Sequence, residues 1–180
     1  RIGGRKPIML TFNGKAALTL SVDIAPNYVE GLIAYVDGKV LYEAEIKGIK
    51  VSAENALSHI TELVEKLMQH AEETPHGIIG LCVAIHGLVD QEEIVFTPNY
   101  TLQSDLKVQL EDVYPFYVHL ENEANLAALG EYTFGSSSDS VVSLSIHTGI
   151  GAGIVENGKL RTGKTGKAGE IGHSILYPDG

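Results

Sequence analysis

The chain has 180 residues, of which 44% are hydrophobic and 20% are charged, and its formal net charge is −10. This composition is typical of a globular protein, and no apolar run approaches the roughly 20 residues that cross a bilayer. The acidic balance argues against nucleic-acid binding by this segment, because phosphate contacts need clustered Lys and Arg. The single cysteine, Cys82, excludes an intrachain disulfide and fits a cytoplasmic setting.

The first half of the chain predicts a mixed sheet. Residues 1–14 are expected to be a linker that runs into an edge strand, since glycine and basic residues there accompany an apolar patch. Strands separated by turn signals are predicted at 17–24, 28–36 and 39–46. Apolar residues at helical spacing predict a helix over 52–73, with Ser52 as its N-cap. A buried strand through Cys82 follows, so we expect a mixed sheet with this helix across one face.

The middle of the chain contains the first candidate site. A strand is predicted at 94–96, a helix at 105–113 with Ser104 as possible cap, and a strand at 116–120. This last strand runs into a helix that opens with Glu121-Asn122-Glu123-Ala124-Asn125. A helix N-terminus rich in carboxylates and amides suits a hydroxyl-rich ligand, because unpaired N–H groups and the positive end of the helix dipole meet there. The alternative is that Asn122 only caps the helix.

Residues 135–139 are rich in glycine and serine and predict an internal boundary. Strands are predicted beyond it, at 141–146, 150–156 and 159–161. The stretch Thr148-Gly149-Ile150-Gly151-Ala152-Gly153 joins two of them, and its backbone either approaches a phosphate or forms a tight hairpin. Glu170 and His173 are three apart, which on a helical turn would place both on one face for a shared ligand or metal. The other histidines lack ligand spacing, and we expect them on the surface or in the core.

Five motifs in this order resemble the ROK family, which groups bacterial repressors, open reading frames and sugar kinases. They are His86-Gly87-Leu88-Val89-Asp90, Phe96-Thr97-Pro98-Asn99, Glu121-Asn122-Glu123-Ala124-Asn125 with Gly130-Glu131, the Thr148–Gly153 stretch, and Gly169-Glu170-Ile171-Gly172-His173. The resemblance implies an α/β, actin-like (ribonuclease H-like) ATPase fold of two lobes with mixed sheets and a sugar in the cleft. It places the first lobe at 15–135 and an incomplete second lobe at 136–180.

Residues 1–14 resemble the linker of the family's repressor branch, which there follows a winged helix-turn-helix. The resemblance is greatest to regulators that respond to xylose. It implies the effector-binding domain of a sugar-responsive repressor of sugar-utilisation genes. The implied partners are a monosaccharide, xylose or glucose, operator DNA bound through an upstream domain, and a second copy of the protein, with no membrane.

The resemblance also implies residue roles. The sugar-binding residues would be Asn99, Asn122, Glu123, Glu170 and His173, and the remnant of a phosphate loop would be Thr148, Gly149 and Gly151. In the family, the histidine that corresponds to His173 also ligates a structural zinc with three cysteines, which here would fall beyond residue 180. No cofactor is therefore expected in this chain, although zinc is possible in the full-length protein.

Two departures from the family's kinases predict that the chain is not an enzyme. The kinases carry an Asp-Ile-Gly-Gly-Thr phosphate loop, where this chain has Asp23-Ile24-Ala25-Pro26-Asn27. Added side chains and the N–H group that Pro26 lacks would prevent the backbone from wrapping a triphosphate. Glu123 replaces the catalytic Asp, and its extra methylene moves the carboxylate by about an ångström. The alternative function is an ATP-dependent sugar kinase of the glucokinase or fructokinase type.

Overall fold

We describe the protein from a computed structural model, which covers residues 8–135, 138–146 and 149–173. The strands in this part of the chain are β1 (Leu18–Ala25), β2 (Tyr28–Tyr35), β3 (Val40–Lys47), β4 (Ile78–Ile85), β5 (Leu88–Asp90), β6 (Glu93–Phe96), β7 (Tyr117–Asn122), β8 (Ser140–Ile146), β9 (Ile150–Glu156) and β10 (Lys159–Leu160). The helices are α1 (Ala56–Met68), α2 (Leu106–Val113) and α3 (Glu123–Gly130), with a π-helical turn at Glu131–Gly135 and a 3₁₀ turn at Ile171–His173. None of these helices is long and apolar enough to cross a membrane.

The first sheet has the strand order β3-β2-β1-β4-β7. Strands β1, β2 and β3 pair antiparallel, as a meander, whereas β4 pairs parallel with both β1 and β7. The prediction of a mixed sheet is therefore confirmed. Ile24 lies opposite Ile85, which in turn lies opposite Asn122, so the three parallel strands end at the same edge. Residues that follow parallel strands in an open α/β sheet commonly line a ligand site.

Helix α1 packs across one face of this sheet and closes the main core. Leu63 and Leu67 are fully buried on the inner side of the helix, and their methyl groups lie close to Gly31 of β2. The inward-facing residues of β1 are buried in alternation, as the period of a strand requires. Burying one leucine side chain contributes about 1.5–3 kcal/mol, so this face holds the meander and the parallel strands together.

The two predicted helix caps are wrong. Helix α1 begins at Ala56, after Asn55, and the Asn55 side-chain oxygen accepts a hydrogen bond from the backbone N–H of Ser52 at 2.8 Å. This contact holds Ser52 in a turn before the helix, where it cannot cap the first turn. Helix α2 begins at Leu106, after Asp105, so Ser104 lies one residue too early to be its N-cap.

The predicted N-terminal edge strand is absent from residues 8–14, and the rest of that prediction, residues 1–7, lies outside the described residues. Ile8, Met9 and Leu10 are almost fully exposed and contribute nothing to the core. Strand β7, in contrast, extends two residues further than predicted and takes in Glu121 and Asn122. The backbone therefore enters α3 directly from the end of a parallel strand.

The second sheet has the order β10-β9-β8 and is antiparallel, and α3 packs on its β8 and β9 strands. Gly151 and Gly153 lie inside β9, which is the strand predicted at 150–156, so of the three glycines in the stretch only Gly149 lies in the connection between β8 and β9. A Cβ atom added at Gly153 would lie 2.1 Å from the carbonyl oxygen of Ala124 and 2.6 Å from the Cβ atom of Ala128. Glycine is needed here because the helix backbone approaches the strand closely.

Candidate functional site

The parallel strands of the first sheet end beside the second sheet, and a cavity of about 670 Å³ lies at this junction. This volume is in the range of small-molecule sites. Its walls come from the ends of β4 and β6, the beginning of α3, and the second sheet with the loop after it. These walls include His86, Gly87, Pro98, Asn99, Asn122, Glu123, Ser145, Gly149, Gly151, Lys167 and Glu170.

The cavity brings together the residues that the sequence predicts for sugar binding. Asn99, Asn122, Glu123 and Glu170 all line it, although they belong to separate parts of the chain. Of the predicted phosphate-loop remnant, Gly149 and Gly151 also line it. Thr148 and the side chain of His173 lie outside the described residues, so the roles predicted for both stay predictions.

Asn122 joins the beginning of α3 to the bend between β4 and β5. Its side-chain oxygen accepts a hydrogen bond from the backbone N–H of Asn125 at 3.1 Å, which is an N-cap. Its side-chain amide donates to the carbonyl oxygen of Gly87 at 2.8 Å. Asn122 therefore caps the helix, as the alternative interpretation holds, and also forms part of the cavity wall. The cap fixes the side chain where a ligand would meet it.

Glu121 and Asn125 brace the same turn from inside. One Glu121 carboxylate oxygen accepts from the Asn125 side-chain amide at 3.0 Å and from the Asn122 backbone N–H at 2.8 Å. Asn125 is 2% exposed. Of the two carboxylates in the motif, Glu121 thus has a structural position, whereas Glu123 lines the cavity.

Glu123 connects the helix to the second sheet. The Ser145 hydroxyl donates a hydrogen bond to the Glu123 carboxylate at 2.8 Å, and both side chains line the cavity. A carboxylate accepts hydrogen bonds from hydroxyl groups, and an asparagine amide both donates and accepts. Glu123, Glu170, Asn99 and Asn122 together therefore form a set of groups suited to a neutral polyol.

The hairpin between β1 and β2 adjoins the cavity through His86. The Nε2 atom of His86 lies 2.7 Å from a carboxylate oxygen of Asp23, and the other Asp23 oxygen accepts from the Tyr28 hydroxyl at 3.3 Å. Burial by itself would lower the pKa of His86. The hydrogen bond and the charge of Asp23, with Glu123 and Glu30 adding to them, raise this pKa above its usual value.

The turn of this hairpin is bonded to the rest of the chain. Pro26 and Asn27 form a two-residue turn, since Ala25 pairs with Tyr28. The carbonyl oxygen of Pro26 accepts from the backbone N–H of Val51 at 2.9 Å. Two residues earlier, at the end of β1, the carbonyl oxygen of Ile24 accepts from the Tyr100 hydroxyl at 2.7 Å. The loop is thus a tight hairpin that hydrogen bonds tie to two other segments of the chain.

Three polar groups of the cavity were missed in the sequence. His86 has no ligand spacing, and Ser145 and Lys167 belong to no motif. A signal for His86 was nevertheless present, because it directly follows the buried strand β4, next to the strand that carries Asp23. No comparable signal exists for Ser145 and Lys167, which reach the cavity only because the second sheet lies against α3.

The described part of the chain contains no group of three or more His, Cys, Asp or Glu side chains placed to hold a metal ion. Burial, followed by the charges of Glu121 and Glu92, raises the pKa of the Cys82 thiol to about 11. This thiol is therefore protonated at neutral pH and is a poor metal ligand. The predicted zinc site through His173 stays a prediction.

Comparison with known proteins gives a family and a fold. Residues 19–180 match the model of the ROK family. The xylose repressor of Bacillus subtilis is 34% identical over 97% of this chain and 46% of its own length. The chain therefore spans about half the length of this curated relative.

Two solved structures are similar to the fold described above. A ROK family glucokinase from Streptomyces griseus in complex with glucose and AMPPNP has a TM-score of 0.79 and 31% identity, over 91% of this chain and 52% of its own. A ROK family transcriptional regulator, a homologue of the E. coli MLC protein, has a TM-score of 0.80 and 26% identity, over 93% of this chain and 44% of its own. The predicted α/β, actin-like ATPase fold is confirmed.

Proposed function

The chain belongs to the ROK family, and we propose that it is the effector-binding part of a sugar-responsive transcriptional repressor. The proposed effector is a neutral monosaccharide, with xylose as the first candidate, because a relative that aligns over nearly the whole chain is a xylose repressor. Operator DNA, bound through an upstream domain, and a second copy of the protein belong to the same proposal.

The observation that carries this proposal is that the Asp23 carboxylate is already bonded within the protein. Its carboxylate accepts hydrogen bonds from Tyr28 and contacts the His86 ring, so both of its oxygens have partners within the protein. The turn that follows contains Pro26, which has no N–H group to donate to a phosphate. A kinase must cradle the triphosphate with backbone N–H groups and a metal ion. The bonded Asp23 carboxylate and the Pro26 turn therefore support ligand binding without phosphoryl transfer.

The cavity walls support a neutral sugar as the ligand. Glu123 and Glu170 accept hydrogen bonds from hydroxyl groups, while Asn99 and Asn122 can accept or donate. A phosphorylated ligand would place its negative charge near the carboxylates of Glu123 and Glu170, which would repel it. The single positive charge of Lys167 offsets the repulsion from only one of these carboxylates. Apolar contact from Phe96 and Pro98 completes a site with the mixed character of small-molecule pockets.

The position of the cavity suggests how binding would be transmitted. Asn122 belongs to the edge of the first sheet, whereas Ser145 and Glu170 belong to the second sheet and its loop. A sugar that contacts both sides favours the conformation in which they are close together. The proposed repressor responds if its DNA-bound and free states differ in this distance, because a ligand shifts an equilibrium only by its differential affinity.

A sugar kinase is the second candidate function. The Streptomyces griseus glucokinase structure and the carboxylate of Glu123 in the cavity favour it. The discriminating experiment incubates the full-length protein with ATP, magnesium and a panel of pentoses and hexoses. We expect no sugar phosphate above a no-enzyme blank, and phosphate transfer to any sugar at an enzymatic rate would overturn the repressor proposal in favour of the kinase.

Binding itself is tested by titrating xylose and glucose into the protein in a calorimeter. Asn122→Ala removes both the cap and the cavity amide, and we expect loss of sugar binding. Asn122→Asp keeps a capping oxygen and loses the amide donor, which separates helix stability from ligand contact. Asn55→Asp, at the start of α1 and away from the cavity, is the matched control and should bind sugar like the parent. Unchanged affinity in Asn122→Ala would contradict the proposed site.

A further inference from the structure

One side of the cavity is apolar, and it comes from the β5–β6 hairpin. Leu88, Val95 and Phe96 all line the cavity, and we call these three residues the apolar wall. Val95 and Phe96 are 57% and 56% exposed, although both are large and apolar. Exposed apolar side chains that are grouped at a cavity commonly meet the apolar part of a ligand.

The pairing of the two strands shows which way these side chains point. Val89 lies opposite Ile94, and the first belongs to the main core while the second packs against it. Leu88 precedes Val89 in β5, so its side chain lies on the other face of the hairpin, which is the face of the cavity. Phe96 lies opposite Leu88, and residues opposite each other in an antiparallel pair share a face. The Phe96 ring therefore faces the cavity together with Leu88.

Phe96 reaches this face because β6 contains an extra residue. Ile94 and Phe96 are two positions apart, and in a regular strand both side chains would point to the core. The pairing register shifts between Leu88 and Val89, which leaves Val95 as the unpaired residue of a β-bulge. Bulges beside binding sites commonly redirect a side chain. This bulge turns an aromatic ring from the core face to the cavity, where Val95 lies next to it.

The hairpin that carries the apolar wall is held at both ends. At its turn, Glu92 has a left-handed φ of 64°, and its carboxylate is bonded to two side chains of β7. At the other end, a Cβ atom added at Gly87 would lie 2.3 Å from the Phe96 carbonyl oxygen, and the Asn122 amide donates to the Gly87 carbonyl oxygen at 2.8 Å. The wall is thus positioned relative to Asn122 before a ligand arrives, which lowers the entropic cost of binding.

We propose that one face of the sugar ring lies on the apolar wall, and that this wall makes the cavity select monosaccharides whose hydroxyl groups are all equatorial. The inference rests on the proposed sugar-binding function. In β-xylopyranose every hydroxyl is equatorial, so both faces of the ring consist of C–H groups. Such a face packs on Phe96 and its neighbours without burying a polar group. An axial hydroxyl on that face would be buried against apolar surface without a hydrogen-bond partner, which weakens binding.

The first experiment measures xylose binding by the full-length protein in a calorimeter at several temperatures. Phe96→Ala should weaken binding by roughly 10-fold, because it removes an aromatic contact, and Phe96→Leu, which keeps apolar area, should weaken it less. Burial of apolar surface makes the heat capacity change of binding negative, so this change should be smaller in magnitude in Phe96→Ala than in the parent. Val108→Ala is the matched control, because Val108 has the same 56% exposure but lies on α2, outside the cavity wall.

The second experiment compares xylose with three epimers. Inversion at carbon 2, in lyxose, or at carbon 4, in L-arabinose, places an axial hydroxyl on one ring face, and inversion at carbon 3, in ribose, places it on the other. The wall covers one face, so it should disfavour either lyxose and L-arabinose or ribose. In Phe96→Ala, the dissociation constant of the disfavoured epimer relative to that of xylose should fall by roughly 5- to 10-fold. Competition against bound xylose extends the measurement to weakly bound epimers.

The outcomes separate this inference from the function on which it rests. A Phe96→Ala protein with the parent's xylose affinity and heat capacity change would overturn the apolar wall and leave the sugar site intact, even at a lower melting temperature. Relative affinities that stay the same for all three epimers would overturn the selectivity. Absence of binding to xylose and to every other pentose and hexose in the parent would overturn both the wall and the sugar site. Both expected changes in Phe96→Ala, with parental behaviour of Val108→Ala, would establish the inference.

Discussion

Replacement of Gly153 by alanine tests whether the close approach of α3 to β9 builds the site. The added Cβ atom would lie 2.1 Å from the Ala124 carbonyl oxygen and 2.6 Å from the Ala128 Cβ atom. Both distances are about an ångström or more below van der Waals contact. The first obstacle is helix backbone, which cannot rotate away as a side chain can. The helix or the strand must therefore move as a unit.

The expected cost follows from this overlap. Overpacking in a well-packed interior costs about 1–3 kcal/mol, and a backbone obstacle places Gly153→Ala toward the upper end. For a domain of this size, each kcal/mol lowers the melting temperature by about 2–4 °C. Movement of α3 would also separate Glu123 from Ser145, whose hydroxyl now donates to it at 2.8 Å. Sugar affinity should fall together with stability.

Urea denaturation, followed by circular dichroism, measures the stability change, and calorimetry measures xylose binding. Gly149→Ala is the control, because an added Cβ atom there meets no atom of the described residues within 4 Å. It should unfold at nearly the parent's urea concentration. A Gly153→Ala protein with the parent's denaturation midpoint and xylose affinity would refute the reasoning.

Three further predictions concern other parts of the fold. Glu92 accepts hydrogen bonds from Lys107, Tyr117 and His119, and although burial opposes it these contacts lower its pKa to about 2. Glu92→Gln should therefore lower the free energy of unfolding by on the order of 1 kcal/mol at neutral pH. The difference in stability between the two proteins should vanish as the pH falls from about 4.5 toward 2. Urea titrations at several pH values would detect both effects. Equal stability of the two proteins at pH 7 would contradict this. Leu63→Ala removes a fully buried side chain and should cost about 2–5 kcal/mol in urea denaturation. Met68→Ala, where the side chain is 37% exposed, should cost much less, and equal losses would show that the face of α1 is misassigned.

The sequence by itself was sufficient for much of the local structure. Apolar residues recur along α1 and β1 at the periods of a helix and a strand, so the presence and approximate place of both elements follow from spacing alone. Asn122 was recognised as a possible cap because the capping geometry involves only residues within one turn. The alternation of antiparallel strands, helix and buried strand predicted the mixed sheet. Each of these signals lies within a short window of the chain.

The helix starts show the limit of local signals. Ser52 and Asn55 are both good capping residues, and the sequence contains nothing that decides between them. The choice depended on the path by which the chain enters α1, since the Asn55 side chain bonds back to the Ser52 N–H group. This approach is itself tied to a distant segment, because the Val51 backbone N–H donates to the carbonyl oxygen of Pro26 at 2.9 Å.

Only the tertiary structure decided how the site is assembled. Asp23 and His86 are 63 positions apart and meet because β1 and β4 pair in parallel and end at one edge. Ser145 reaches Glu123 because Gly153 lets α3 lie against β9. The sequence alone predicted most of the elements and the residues that we propose to hold a sugar. The partners of each residue depended on strand register and helix packing, which join distant segments and leave no periodic trace in the chain.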